Sequence, residues 1–241
     1  MSKPLLALRN VGLSYRPLRT DRSIFRPKTL FRSRLEVTAL SSISFELNRG
    51  ERIGVIGANG AGKTTLLRVA AGFLPPTIGE VTLSDSVTSL IDSGFGLTTT
   101  LSGRENAKTF AVMRGLQGKQ FRNYVDFVAS DCGLGSAFDH PVSSYSTGMV
   151  TRLVFSLCTA TPPDVLILDE LLSAGDAAFQ EQARGRMREY LDLSNGILLA
   201  SHDMGLINEL CTRCIWLDKG TARAIGSSRN ITNRYLNEVN S

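Results

Sequence analysis

The stretch that decides the fold is Gly57-Ala58-Asn59-Gly60-Ala61-Gly62-Lys63-Thr64-Thr65, which follows a short apolar run at 52–56 and precedes a helical pattern at 63–71. It fits the G-x-x-x-x-G-K-[ST] pattern of a phosphate-binding loop, in the strand–loop–helix context that the pattern requires. Small residues let backbone N–H groups surround phosphates, and the helix N-terminus adds partial positive charge. We call residues 57–65 the P-loop. The alternative is an ordinary strand-to-helix turn, which does not require Lys-Thr at that spacing.

Each polar residue of the P-loop has a predicted role. Lys63 is expected to reach the β- and γ-phosphates of a nucleotide, and the Thr64 hydroxyl is expected to ligate Mg²⁺. The loop therefore predicts nucleotide binding with Mg²⁺ as a cofactor.

Two acids end a second apolar run, at 165–168. A strand directs Asp169 and Glu170 to opposite sides, so the two carboxylates can have different functions. We predict that Asp169 binds Mg²⁺ and that Glu170 orients and deprotonates the attacking water. Acids at strand ends also serve as helix caps or as solvated termini, but the P-loop about a hundred residues upstream favours ATP hydrolysis.

The remaining pattern predicts an α/β fold with a mostly parallel sheet. Alternating apolar and polar residues at 5–15 and 41–47 are typical of half-buried strands, and strands at 165–168 and 197–200 flank a helix-like stretch at 177–193. Between 103 and 163 the pattern is helical, with helices expected at 106–116, 121–132 and 148–160. We therefore predict a core with an N-terminal antiparallel β subdomain over 1–94 and 164–241, and an inserted helical subdomain over 95–163. Ligands are expected at the carboxyl ends of the strands.

Length and composition fit one large globular domain. The chain has 241 residues, 42% hydrophobic and 20% charged. It has no apolar run of about 18 residues and no signal-peptide pattern, so we expect a cytosolic chain. Cys132 and Cys158 lie in helical patterns, and Cys211 and Cys214 form a lone C-x-x-C without a second ligand pair, which favours reduced structural thiols over a metal site.

The positive charge is confined to one segment. Residues 16–34 carry seven basic side chains and one acid, a net +6, whereas the whole chain carries +5, so the remainder is close to neutral at −1. This basic insertion, 16–36, argues against a general nucleic-acid-binding face. Two interpretations stay open: a solvated loop, or a segment that lies against the anionic cytoplasmic leaflet or a pyrophosphate-linked lipid.

Three further stretches carry a family resemblance. Tyr145-Ser146-Thr147-Gly148-Met149 resembles the signature motif of ABC-transporter ATPase subunits, Ser173-Ala174-Gly175-Asp176 resembles their D-loop, and Ser201-His202-Asp203 resembles the segment of their switch histidine. Together with the P-loop and the acids, these motifs follow the order of that family over nearly the whole chain.

The resemblance implies an active species in which two copies sandwich two ATP molecules head to tail. The Ser146 hydroxyl and the Gly148 N–H would then cover the γ-phosphate held by the partner's P-loop. His202 would hydrogen-bond the γ-phosphate, and Asp176 would link the two sites. Alternatives are an ordinary helix cap for Ser146 and a structural role for His202. Tyr15 is a candidate for stacking on adenine, with a core tyrosine as the alternative.

Departures from the common pattern resemble one branch of the family, the exporters of O-antigen, capsule and teichoic acid. The glutamine that usually follows the strand near 87–91 is absent, and Asp92 or Ser93 stands in its place. The branch typically has G-R-E-N and G-D-A-A-F-Q, which occur here at 103–106 and 175–180.

This resemblance implies an ATPase subunit at the cytoplasmic face of the inner membrane. It would work with a separate membrane-spanning permease that handles a lipid-linked glycan, and it would not bind nucleic acid. Alternatives are an ABC transporter for a drug, lipid or nutrient, a non-transport ABC protein of DNA repair or translation, and a scaffold with an inactive site. The intact Lys63, Asp169, Glu170 and His202 argue against the scaffold.

Overall fold

A computed structural model of the chain describes residues 3–15, 36–84, 87–90, 96–169 and 189–239. Several sequence-based predictions concern residues outside these ranges: the basic insertion up to residue 35, Asp92 and Ser93, Glu170 and the D-loop with Asp176. Their roles stay predictions.

The centre of the fold is a six-stranded sheet in the order β5-β6-β7-β3-β8-β9. Its strands are β3 (Arg52–Ile56), β5 (Val87–Leu90), β6 (Val165–Asp169), β7 (Gly196–Ala200), β8 (Arg213–Asp218) and β9 (Thr221–Ser227). All neighbouring pairs are parallel except the edge pair of β8 and β9. Four of these strands, β3, β6, β7 and β8, have nearly continuous apolar sequences because helices or a second sheet cover both of their faces.

A three-stranded antiparallel sheet packs on one face. It consists of β1 (Leu6–Tyr15), β2 (Val37–Leu47) and β4 (Ile78–Leu83), in the order β2-β1-β4. The prediction that the second strand begins at residue 41 is wrong, because Val37 and Thr38 pair with the end of β1. Strand β4 was not predicted; its last residues are only half-buried, so its apolar alternation is weak.

Residues along the central strands alternate between two hydrophobic layers. Val165 and Ile167 of β6 point into the layer shared with the antiparallel sheet and α1 (Lys63–Ala70). Leu166 and Leu168 point into the opposite layer, which packs against the C-terminal helices. These helices are α5 (Met204–Leu210) and α6 (Ser228–Val239), and residues 189–193 are also helical. The fold thus has the two-sided burial expected of a parallel sheet.

A third hydrophobic cluster lies within the predicted helical subdomain. It is formed by α2 (Gly103–Met113), α3 (Gly118–Asp131) and α4 (Thr147–Thr159), with short 3₁₀ helices at Gly135–Asp139 and Val142–Ser144. Leu153 and Leu157 of α4 pack in this cluster, whereas Phe155 of the same helix packs in the core layer. Helix α4 therefore joins the helical region to the central sheet.

These observations confirm the predicted fold class, a mostly parallel sheet with an antiparallel N-terminal sheet and a helical insertion. The domain limits at 94–95 and 163–164 stay predictions. Within the described ranges, every helix is too short or too polar to traverse a bilayer.

Candidate functional site

Three chain segments meet at the carboxyl edge of the central sheet. Strand β3 runs directly into the P-loop, β6 ends at Asp169, and β7 leads into Ser201 and His202. The register pairs Asp169 with Ala200 on the neighbouring strand, so the acid and the segment of His202 leave the sheet side by side. This edge is where ligands of parallel α/β sheets bind, and the sequence-based placement of these segments agrees with it.

The P-loop is anchored at its ends and exposed in the middle. Gly57 and Ala61 are buried, whereas Ala58, Asn59 and Gly60 are exposed. Gly57 has φ 151°, and an added Cβ would lie 2.2 Å from the Leu217 carbonyl oxygen. Only glycine fits there, because the first turn of the loop passes directly over the backbone of β8.

Lys63 begins α1, and its ammonium group lies inside the curve of the loop. Its Nζ donates hydrogen bonds to the carbonyl oxygens of Gly57 at 2.8 Å and Ala58 at 3.2 Å. Partial burial lowers the pKa of Lys63 from its ordinary value, while the charge of Asp169 acts in the opposite direction. The side chain thus presents a positive charge at the centre of the loop, close to the first acid.

Thr64 and Asp169 are in direct contact across the two segments. The Thr64 hydroxyl donates to Asp169 Oδ2 at 2.6 Å. A hydroxyl and a carboxylate at this spacing are oxygen donors of the kind that Mg²⁺ prefers, and the adjacent helix N-terminus favours anions such as phosphates. The donor set therefore fits a magnesium–nucleotide complex.

The signature segment lies at the start of α4. Ser146 is the N-cap: its Oγ accepts a hydrogen bond from the Met149 backbone N–H at 3.3 Å. Ser146 and Thr147 are exposed, and Gly148 is half-buried. An open groove on this side of the helix is lined by Ser146, Gly148 and Met149 together with residues of the preceding loop. The capping role is thus present, and it leaves the serine at the surface with a helix N-terminus behind it.

The other predicted site residues occupy the ends of strands. His202 is exposed beyond β7, and Asp203 caps α5 through Oδ1, which accepts from the backbone N–H groups of Gly205 and Leu206. Tyr15 ends β1 opposite Val37 and is 53% exposed, which excludes the alternative of a core tyrosine. Its stacking on adenine stays a prediction.

One support of the P-loop was not predicted from the sequence. The Gly220 N–H donates to the Ala61 carbonyl at 2.9 Å, and the Gly220 carbonyl accepts from the Ser41 N–H at 2.8 Å. The turn between β8 and β9 therefore connects the P-loop to the antiparallel sheet. The only local signal is the Lys219-Gly220 dipeptide, which predicts a turn but not its contact with a loop about 160 residues earlier.

Comparison with known proteins identifies the family of this chain. The family model described as "ABC transporter" matches residues 40–173. The chain is 42% identical over 184 residues to the O-antigen export system ATP-binding protein RfbE of Yersinia enterocolitica, which covers 76% of this chain and 77% of that protein. It is 42% identical over 197 residues to the teichoic acids export ATP-binding protein TagH of Lactococcus lactis subsp. lactis (strain IL1403), covering 82% of this chain. The chain spans only 42% of the length of that second relative.

Solved structures agree on the fold. An ATP-binding subunit of an ABC transporter superposes with a TM-score of 0.73 at 20% identity, covering 96% of this chain and 93% of that one. A dimeric ATP-binding cassette in a post-hydrolysis state, bound to ADP and Pi, gives 0.69 at 19% identity, covering 93% and 99%. The chain therefore belongs to the ABC transporter family and carries its ATPase domain.

Proposed function

We propose that this chain is the ATP-hydrolysing subunit of a bacterial exporter for lipid-linked polysaccharide. It works as a head-to-tail homodimer at the cytoplasmic face of the inner membrane, bound to a separate membrane-spanning permease. The observation that carries the ATPase part is the contact of Thr64 with Asp169 beside the Lys63 ammonium.

Within one subunit, the P-loop binds the nucleotide. Backbone N–H groups of the loop and the start of α1 bind phosphate oxygens, and Lys63 exchanges its bonds to the Gly57 and Ala58 carbonyls for the β- and γ-phosphates. Thr64 and Asp169 would hold Mg²⁺, and the charge of the ion would neutralise the phosphates. Asp169 would coordinate the ion directly or through a water molecule.

The second face of the nucleotide comes from the partner subunit. Ser146 and the Gly148 N–H lie at an exposed helix start, an arrangement suited to an anion brought by another molecule. The P-loop is flanked by β3 and α1, which pack in the layer shared with the antiparallel sheet, whereas helix α4 packs chiefly in the third cluster. This separation supports a sandwich in which each site takes one face from each copy.

Hydrolysis requires a base and a group that senses the γ-phosphate. We assign the base to Glu170, which follows the Mg²⁺ ligand Asp169, and the γ-phosphate contact to His202, which leaves the neighbouring strand. Asp176 links the two sites of the dimer. A positioned base contributes 10²–10⁴-fold, or about 3–5 kcal/mol, to the rate.

Polysaccharide as cargo is supported by the relatives. Two relatives at 42% identity are named for the export of teichoic acids and of O-antigen. Residues 103–106 and 175–180 carry the branch patterns G-R-E-N and G-D-A-A-F-Q.

Substitution of Glu170 tests the catalytic part. Glu170→Gln is expected to lower kcat by at least 10²-fold while ATP binding is retained, and to accumulate an ATP-bound dimer in size-exclusion chromatography. Glu209→Gln, an exposed change on α5, is the matched control and keeps the parental kcat. Hydrolysis by Glu170→Gln at the parental rate would contradict the mechanism.

Substitution of Lys63 in cells tests the cargo. With Lys63→Ala as the only copy, lipid-linked glycan is expected to accumulate inside the cell, whereas the exposed control Lys3→Ala exports normally. The permease that co-purifies from detergent-solubilised membranes identifies the transporter. Normal surface glycan in the Lys63→Ala strain would refute polysaccharide export and favour another cargo.

A further inference from the structure

The branch pattern Gly103–Asn106 lies against the segment that leads into the signature motif. Residues 137–145 immediately precede Ser146, and they contact both the start of α2 and the turn at 98–102 before it. We call residues 98–106 the clamp. Its contacts fall into three groups: backbone hydrogen bonds, the hydrogen bonds of the buried Asn106 amide, and the close approach of Gly103 and Arg104 to residues 137–145.

Backbone hydrogen bonds fix the clamp to the leading segment. The Val142 N–H donates to the Leu101 carbonyl at 2.9 Å, and the Ser143 N–H donates to the Thr99 carbonyl at 2.8 Å. Ser102 forms an isolated antiparallel bridge with Pro141. The two segments therefore move together, because separation would leave several backbone groups without partners.

Asn106 keeps the turn of the clamp in shape. Its side chain is 1% exposed; Oδ1 accepts from the Thr98 N–H at 2.8 Å, and Nδ2 donates to the carbonyls of Thr98 at 3.1 Å and Ser102 at 2.9 Å. Ser102 and Glu105 add a capping box at the start of α2. The turn is therefore rigid where it meets the leading segment.

Gly103 and Arg104 both lie close to residues 137–145, the segment that leads into the signature motif. An added Cβ on Gly103 would lie 2.7 Å from the Tyr145 hydroxyl and 2.8 Å from Cδ2 of Phe138. The Tyr145 hydroxyl donates to the Ala137 carbonyl at 2.7 Å. Arg104 Nε donates to Asp139 Oδ1 at 2.6 Å, and its guanidinium lies 5.1 Å from the centre of the Phe138 ring.

We propose that Gly103 and Arg104 are positioning residues for ATP hydrolysis in trans. They hold residues 137–145, and through Tyr145 they set where Ser146 and the start of α4 meet the nucleotide of the partner subunit. This inference rests on the proposed head-to-tail dimer. The pattern G-R-E-N is then a support of the signature motif and has no direct contact with ATP.

Charge reversal tests the Arg104–Asp139 ion pair, in which Asp139 is exposed and Arg104 is half-buried. Arg104→Asp and Asp139→Arg should each lower kcat about three- to tenfold, and the Kd for ADP of the isolated subunit should stay within twofold. The double variant should recover about half of the parental kcat. Full recovery is not expected, since Asp126 and Lys108 favour the native orientation of the pair.

Gly103→Ala tests the close approach to Tyr145. Gly103 is the first residue of α2, where a helical backbone accepts alanine, so the expected effects come from the close contacts with Tyr145 and Phe138. We expect kcat to fall tenfold or more with an unchanged Kd for ADP. We also expect weaker ATP-dependent dimerisation when Gly103→Ala is added to Glu170→Gln.

Mixed dimers separate a positioning role in trans from a general folding defect. Glu170→Gln damages the site that contains its own P-loop, whereas a clamp variant damages the partner's site. Mixing the two chains should therefore leave one intact site per mixed dimer and raise the activity well above the sum of the separate chains. Gly148→Asp, a direct change in the signature, serves as the benchmark.

Each outcome decides one point. If Gly148→Asp is complemented by Glu170→Gln but the clamp variants are not, the positioning role is refuted and the head-to-tail dimer stands. If Gly148→Asp itself is not complemented, the proposed dimer is wrong. Parental kcat in Arg104→Asp and Gly103→Ala, or loss of ADP binding equal to the loss of kcat, also overturns the inference.

Discussion

Gly57→Ala is the sharpest test of how the fold holds the P-loop. An alanine Cβ would lie 2.2 Å from the Leu217 carbonyl oxygen and 3.2 Å from the Ala61 Cβ. Ordinary carbon–oxygen contacts are about 3.3 Å or longer, so the loop and β8 must separate by roughly 1 Å. Gly57 and Leu217 are both buried, whereas residues 58–60 of the P-loop are exposed, so we expect the loop rather than β8 to move.

Two effects contribute to the loss of folding stability expected from Gly57→Ala. Overpacking in a close-packed region costs about 1–3 kcal/mol, and a left-handed φ on a residue with a side chain costs about 1–2 kcal/mol. The sum of about 2–5 kcal/mol corresponds to a fall in Tm of roughly 4–20 °C for a chain of this size. A displacement of about 1 Å at the phosphates lowers kcat/KM by about 10²-fold.

Steady-state ATPase kinetics and thermal unfolding measure both effects. The matched control is Gly72→Ala, a glycine after α1 with φ 77° and no neighbour within 4 Å of an added Cβ. It should cost only about 1 kcal/mol in stability and leave kcat/KM unchanged. If Gly57→Ala keeps kcat/KM within threefold of the parent, the contact with Leu217 does not set the geometry of the loop.

Two further predictions concern stability. Leu153→Ala, in the third hydrophobic cluster, should lower the free energy of unfolding by about 2–5 kcal/mol in urea titrations, whereas Val112→Ala, 66% exposed, should change it by less than about 0.5 kcal/mol. Burial raises the pKa of the Cys211 and Cys214 thiols to about 12 from an ordinary 9.0. As pH rises, these thiols therefore ionise in the unfolded chain before they ionise in the folded chain. The free energy of unfolding should fall between about pH 9 and pH 12. At pH 10 each thiol should account for about 1 kcal/mol of this loss, and replacing both cysteines by alanine should reduce the pH dependence; an unchanged slope would count against the burial.

Much of the fold was predictable because buried helices and strands have apolar residues at regular spacings in the sequence. Strand β3 was predicted at its observed limits, 52–56, since an apolar run before a glycine-rich loop leaves little ambiguity. Helix α4 was predicted within one residue at each end, because its apolar positions face two clusters. The alternation along β6 likewise follows from its two buried faces.

Elements whose apolar residues show no clear spacing were not predicted. Strand β9 alternates exposed and half-buried residues at the edge of the sheet, and β4 has three exposed residues at its start. Helix α5 has seven residues and one buried side chain, Ile207, so its period is too short to recognise. In each case tertiary contacts, rather than local sequence preference, stabilise the element.

At the site, the sequence identified residue types, and the structure adds the contacts that hold them. The spacing of Lys63, Thr64 and Asp169 predicted two ligands for one metal ion, but the 2.6 Å contact of Thr64 with Asp169 depends on how β3 and β6 are placed around β7. The support of Ala61 by Gly220 has no local signal, because it joins residues far apart in the chain.

The two faces of the proposed ATP site differ in how they are held. The P-loop is supported by β8, which is buried on both sides, and by the turn after β8, which connects it to β2 of the antiparallel sheet. The signature start is exposed and is supported by the clamp and by Tyr145. A face held by buried strands suits a site that keeps its nucleotide, whereas a face held by a smaller helical cluster suits the approach and departure of the proposed partner subunit. This difference explains why substitutions in the clamp should change hydrolysis and dimer closure while they leave nucleotide binding at the P-loop intact.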